Sequence, residues 1–420
     1  MTPASAPFSP FHGAFRSVWL LRLCSTLGSQ LLAFALGLRL YQVSGSALDL
    51  GLLGLVQFVP SLALALPAGQ LLDRFAPGRV AAIAQLVNAA AAASLLLLPL
   101  LPRLPLPAGA SLTFGLYAAA LVTGATRAFE HPINTALLPS VVAEHHVARA
   151  VAWVTALAKT ATLVGPLIGG LLYALSPEAA YGGALAFFAA AAMLAAGLPG
   201  RACAASKGTG VRAAFAGLHV IWRDRVLGGA MLLDLLAVLL GGATALLPVY
   251  ALDVLGTGPI ELGMLRAAPG LGAVALGFWL TWRPVVRRVG AVLLAATALF
   301  GALTIAFGMS RSLPLSLILL AAIGGADMVS IHIRSALVQL RTPAGLRGRV
   351  GAVNGIFISS SNQIGAFESG LTAHWFGTAP AIVFGGTATL AAVCALALFV
   401  PSLRRVERMH APVDALAVQR

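Results

Sequence analysis

The chain has 420 residues, 59% of them hydrophobic and only 10% charged, with a mean hydropathy of +0.92. Soluble domains are about 25% charged, so this composition excludes an ordinary soluble enzyme, and its apolar weight excludes a disordered chain. The net charge of +14 would suggest nucleic acid in a soluble protein; here basic cytoplasmic loops explain it, and no nucleic-acid partner is expected.

About 20 apolar residues span a bilayer as a helix. Residues 1–15 are rich in Pro, Ser and Phe. No basic region precedes the first apolar stretch and no small-residue cleavage site follows it, so they read as a cytoplasmic tail and not a signal peptide. Twelve apolar runs follow, near 17–41, 50–72, 80–100, 109–129, 150–174, 179–199, 226–251, 260–282, 290–310, 313–335, 350–373 and 379–400. They are continuous, unlike the alternating strands of an outer-membrane barrel. Backbone in lipid must satisfy its own hydrogen bonds, so the runs predict an all-α membrane protein of twelve transmembrane helices.

With the N-terminus inside, 19 of the 27 Lys and Arg fall in inner segments, two in outer loops and six within helices. That asymmetry places both ends in the cytoplasm. The polar stretch 201–225 divides a bundle over 16–200 from a second over 226–401, with a cytoplasmic tail over 402–420. Within the linker, 211–222 reads either as an amphipathic surface helix or as a plain connector. Three cysteines at 24, 203 and 394 make no disulfide framework.

An internal repeat supports the division. A shift of 200 places Arg149 on Arg349, Gly165 on Gly365 and Gly170 on Gly370; a shift of 209 places Gly54 on Gly263, Pro60 on Pro269 and Arg74 on Arg283. Helix five thus matches helix eleven, and helix two matches helix eight. Two parallel halves of this kind can rock about a central site.

Ionisable groups at bilayer depth are functional candidates by default. The acids are Asp234, Asp327 and Glu368, with Glu130 at the inner end of helix four. The bases include Arg22, Arg127, Lys159 and Arg334. Asp234 and Asp327 are expected to carry a proton step, and Glu368 to contact proton or substrate; for each, a structural pairing with Arg or with backbone donors is the rival reading. Lys159 and Thr162 on helix five would face a substrate cavity, as would Arg22, Arg127, Glu130 and Arg334. A paired structural role is the alternative for Lys159, and loop anchoring for Arg127 and Arg334. No metal-ligand spacing, phosphate-binding loop or nucleophile elbow is present. No metal or cofactor is therefore expected, and a proton gradient is the energy source.

The loop Gly69-Gln70-Leu71-Leu72-Asp73-Arg74-Phe75-Ala76-Pro77-Gly78-Arg79 resembles the signature of the major facilitator superfamily: a Gly, three residues, an Asp-Arg pair, then Gly and basic residues. The resemblance implies that Gly69 admits close helix approach. It also implies a conformational latch made of Gly69, Asp73, Arg74 and Arg79 facing helix eleven, where Arg349 lies. Trp282 stands where the second half would carry the acid, so one latch is implied. Gly165-Pro166-Leu167-Ile168-Gly169-Gly170 resembles the core of the superfamily's antiporter motif, implying export and tight packing through Gly165, Pro166, Gly169 and Gly170. Arg127-Ala128-Phe129-Glu130-His131-Pro132, Met231-Leu232-Leu233-Asp234-Leu235, Ala326-Asp327-Met328-Val329 and Ser361-Asn362-Gln363-Ile364-Gly365-Ala366-Phe367-Glu368 are similar to the enterobactin-exporter branch.

The resemblance implies a secondary active transporter, not an enzyme. It would export a small amphipathic drug or siderophore by proton antiport through alternating access. Uptake or exchange of a small solute is the alternative, and a membrane-embedded lipid-modifying enzyme the rival from another class. The expected partners are a small-molecule substrate, protons and the lipid bilayer, with the protein a monomer. Arg outnumbers Lys 25 to 2, which suggests a GC-rich bacterial genome and an inner-membrane location.

Overall fold

The computed structural model describes residues 13–98, 110–198, 219, 221–343 and 346–408. Among them no strand occurs. Twelve long helices run in chain order: α1 Gly13–Ser44, α2 Ala47–Arg74, α3 Pro77–Leu97, α4 Ala110–Val141, α5 Val147–Leu175, α6 Pro177–Ala196, α7 Arg225–Leu240, α8 Pro259–Trp282, α9 Val289–Met309, α10 Leu313–Arg341, α11 Arg347–Phe376 and α12 Thr378–Phe399. Ten described helices are long and apolar enough to cross a membrane. α4 and α11 are not among them. Both carry polar stretches, with Thr123, Thr126, Arg127 and Glu130 on α4 and Ser359 to Gln363 with Glu368 on α11. Large apolar side chains face outward, among them Phe114 at 74%, Leu175 at 75% and Phe399 at 84% exposure. Patches of this kind need a cover, and lipid supplies it.

Two boundaries differ from expectation. α4 was expected to stop near 129, yet it runs through Pro132 and Pro139 to Val141. A proline costs one helix bond, here those that the Ala128 and Thr135 carbonyls would accept, and membrane helices tolerate such a loss. Glu130 is therefore not at a helix end. Eleven residues of α4 follow it, about 16 Å of rise. The run 226–251 is also not one regular helix. α7 ends at Gly241-Gly242, and a 3₁₀ turn (Ala243–Leu246), one α-turn (Leu247–Val249) and a π-turn (Tyr250–Val254) follow. The glycines admit close neighbours: a Cβ on Gly241 would lie 2.7 Å from the Phe300 ring, and one on Gly242 2.9 Å from Ser369 Oγ.

The helix contacts divide the chain into two units, Met1–Gly45 with Val56–Lys207, and Ser46–Leu55 with Gly208–Arg420. In the first unit α1 packs on α5 and α6, and α3 on α4 and α6. Val18, Leu21, Leu72, Val80, Ile133 and Leu137 form one of its cores. In the second, α8 packs on α10, α9 on α10 and α12, and α7 on α11. Val226, Leu233, Leu293, Ile333, Leu337 and Leu396 share a core there. Asp224 caps α7, accepting from the N–H groups of Val226 and Leu227 at 2.9 and 3.3 Å and pairing with Arg341 at 3.0 Å.

The repeat has a physical basis in helix contacts. A Cβ on Gly165 of α5 would sit 2.5 Å from Gln30 Cβ on α1, and one on Gly365 of α11 would sit 2.8 Å from the Val238 carbonyl on α7. Gly124 of α4 abuts the Gln57 backbone of α2, and Gly324 of α10 abuts the Pro269 backbone of α8. Each unit thus seats its fifth helix on its first and its fourth on its second through glycines 200 positions apart. The expected segment 211–222 lies outside the described residues except for His219, Ile221 and Trp222, and Cys203 also lies outside them.

Candidate functional site: a charged pair in each helical unit

In the first unit α1 carries Arg22 and α4 carries Glu130. Arg22 donates to Glu130 Oε2 at 3.3 Å, with side chains 22% and 32% exposed. Both side chains are partly exposed, in contrast to a sealed pair. Beside it lies a cleft lined by Ser29, Gln57, Asn88, Thr123, Arg127 and Glu130, with Leu32, Ala33 and Leu36 as its apolar part. Thr126, also in the lining, donates to Asn88 Oδ1 at 2.6 Å and is buried. One turn away on α3, Gln85 donates to Ser25 Oγ at 3.0 Å, while its own Oε1 is buried without a hydrogen-bond partner among the described residues. The lining thus sets one guanidinium, one carboxylate, two amides and three hydroxyls beside leucines.

In the second unit Asp234 of α7 pairs with Arg334 of α10, both side chains only 8% exposed. Arg334 Nε is buried and has no hydrogen-bond partner among the described residues. Asp234 lies nine residues into α7, about 13 Å of rise, and Leu233 and Ile333 beside the pair belong to the core. A cation and an anion in such surroundings hold each other in place, because removing either leaves a buried lone charge. Arg334 sits seven residues before the end of α10, inside the bundle and not at its edge.

The two pairs are related. Each joins the first helix of its unit to the fourth, with the signs reversed: cation on α1 and anion on α4, then anion on α7 and cation on α10.

The other predicted residues fall as follows. Asp327 is half-buried on α10, two turns before Arg334. Glu368 is half-buried on α11 and accepts from Thr372 Oγ1 at 2.8 Å. Lys159 and Thr162 are exposed on α5; the Thr162 hydroxyl donates to the Ala158 carbonyl at 2.8 Å, and the Thr162 carbonyl accepts from Gln30 Nε2 at 3.2 Å. Gly165, Pro166, Gly169 and Gly170 are buried, and a Cβ on Gly169 would lie 3.1 Å from the Phe34 ring of α1. A Cβ on Gly69 would meet no described atom within 4 Å. Arg74 and Arg79 are exposed. The side chains of Asp73 and Arg349 lie outside the described residues.

The sequence reading missed Ser29, Gln57, Asn88, Thr123 and Thr126. A signal existed on α4, where Thr123, Thr126, Arg127 and Glu130 recur at helical spacing and mark a polar stripe on an apolar helix. On α3, Gln85 and Asn88 stand three residues apart in an alanine-rich run, a two-residue version of the same signal that is too short to mark a stripe.

Comparison with known proteins supports this architecture. The Major Facilitator Superfamily model matches residues 18–366. The multidrug efflux pump Tap of Mycolicibacterium fortuitum is 26% identical over 398 residues, covering 88% of this chain and 91% of that protein. Among solved structures, an inward-facing, unoccupied bacterial homologue of the human lysosomal transporter Spinster superposes with a TM-score of 0.68 at 14% identity, covering 93% of this chain and 95% of that one. A bacterial homologue of the iron transporter ferroportin, inward-facing, superposes with a TM-score of 0.66 at 17% identity, over 93% and 98%. At those identities the structural likeness carries the fold. The family match spans most of the chain, and the protein belongs to the Major Facilitator Superfamily as a multi-pass membrane transporter.

Proposed function

We propose that this transporter exports a small amphipathic molecule, a drug or a siderophore, by proton antiport through alternating access, with both chain ends in the cytoplasm of a bacterial cell and the helices in its inner membrane. The observation that carries the reading is the charged pair set between the first and fourth helices of each unit. Charges at this depth are costly unless they serve a pathway or a partner. The export direction is supported by the likeness to a multidrug efflux pump and by the glycine-proline packing of α5 against α1.

Each pair has a distinct task in this scheme. Glu130 is partly hydrated, so a proton can reach it and release Arg22, changing the charge of the cleft that takes the cargo. Asp234 is sealed. A proton arriving there would leave Arg334 as a lone buried cation, which water entry between α7 and α10 would relieve. Proton occupancy at Asp234 is in this way tied to opening. Asp327 and Glu368 are further proton or cargo contacts. Lys159 supports a wet passage, since it is exposed in the middle of α5, where facing lipid would be unfavourable.

The test is export in a host stripped of its own pumps. The full chain should lower accumulation of amphipathic dyes. Glu130→Gln should slow export roughly tenfold or more at equal expression, the effect of about 1.4 kcal/mol on the transport barrier. Unchanged export by that variant would remove Glu130 from the pathway, and dye accumulation raised by the full chain would favour uptake.

A further inference from the structure

One end of the second unit carries a basic surface that the transport scheme does not use. The link between α8 and α9 contributes Arg283, Arg287 and Arg288. The segment after α12 contributes Arg404, Arg405 and Arg408. All six are exposed. Glu407 is the acid within these two segments, while Asp224 at the start of α7 is already paired with Arg341.

The two segments are far apart in sequence, and the fold fastens them together. The Gly290 N–H donates to the Val406 carbonyl at 3.0 Å. Leu403 is fully buried and shares a core with Val226 of α7, Val289 and Leu293 of α9 and Leu396 of α12. Gly290 abuts the Leu403 backbone, where any Cβ would collide with its carbonyl. Arg288 holds a left-handed φ of 53°, uncommon for a residue with a side chain. The arginines therefore stand on a fixed platform and not on a loose tail.

Exposed aromatic residues flank both basic segments in sequence. Trp279 and Trp282 on the last turn of α8 are 53% and 74% exposed, and Phe399 closes α12 at 84%. The Phe278 and Trp282 rings lie 5.1 Å apart. Tryptophans at helix ends settle at the headgroup level of a bilayer. Exposed apolar rings next to exposed guanidinium groups match a lipid that has both an acyl chain and an anionic phosphate. Arginine suits phosphate because its planar fork donates two parallel bonds.

We propose that this arginine platform binds the headgroup of an anionic phospholipid, with its acyl chains lying on the Trp279–Trp282 and Phe399 surface. The proposal also gives a role to the loop in which Trp282 replaces the acid of the first half. That loop would be a lipid anchor and not a second latch.

The test uses the detergent-purified full chain, titrated separately with phosphatidylglycerol, phosphatidylcholine and inorganic phosphate while the unfolding temperature is followed. Phosphatidylglycerol should raise it; the other two should not. In the triple variant Arg287→Gln, Arg404→Gln, Arg405→Gln, the phosphatidylglycerol concentration for half-maximal effect should rise on the order of a hundredfold, roughly fivefold per arginine. The corresponding triple Lys variant should recover part of the response, because charge is retained while the paired bonds of the guanidinium are lost. If the triple Gln variant does not fold, each single Gln variant should still show its roughly fivefold shift. An identical phosphatidylglycerol response in wild type and Gln variants would overturn the proposal. So would equal stabilisation by phosphatidylcholine, or by inorganic phosphate, which would mark a free-anion site.

Discussion

Asp234→Asn should destabilise the protein by about 3–5 kcal/mol, since it strands the Arg334 guanidinium in an apolar core. Unfolding of the purified full chain by heat or denaturant measures this. The double variant Asp234→Asn, Arg334→Gln removes both charges and should recover most of the loss, because neutral partners no longer oppose burial. Glu130→Gln offers the contrast. Its pair with Arg22 is partly exposed, so its stability effect should stay within about 1 kcal/mol. The double variant also separates stability from mechanism. If Asp234 carries protons, the folded double variant should lose coupling to the pH gradient. If the pair only holds α7 to α10, transport should keep its pH dependence. A single variant as stable as wild type would contradict the burial argument outright.

Gly124→Ala should be among the most damaging small substitutions. Its added methyl would meet the Gln57 backbone, which cannot swing aside as a side chain can. Overpacking of this kind costs about 1–3 kcal/mol and occasionally more. Gly324→Ala should behave alike, because it meets the Pro269 backbone in the second unit. Gly69→Ala should differ in sign. Nothing described lies within 4 Å of that position, and Ala is favoured over Gly in a helix by up to about 1 kcal/mol. The folded yield of the three variants, followed by fluorescence-detected gel filtration, checks the order. Loss of fold in Gly69→Ala with Gly124→Ala unharmed would reverse the account of which glycines pack helices.

The apolar runs made the helices legible, because lipid forces backbone to bond internally and leaves the residue pattern few alternatives. The apolar run of α4 breaks at Glu130, yet the helix continues past Pro132 and Pro139 to Val141, which moves Glu130 from an edge to the interior. The charged residues could be named from sequence but not paired. Asp327 stands seven residues before Arg334 on the same helix, too far along α10 to pair with it directly. The partner of Arg334 lies across on α7, and only the packing of the two helices reveals it. Gly165 and Gly365 were visible as a repeat. Gly124 and Gly324 obey the same shift, but in a sequence this rich in glycine their backbone contacts were needed to distinguish them.

Transport in sealed vesicles tests the central claim most directly. Purified full chain is reconstituted, a pH gradient is imposed, and the movement of an amphipathic dye is followed with and without a protonophore. The account predicts dye movement opposite to the proton flow, reversed when the gradient is reversed and abolished when it is collapsed. Dye movement at the same rate whatever the gradient, or along with the protons, would contradict it.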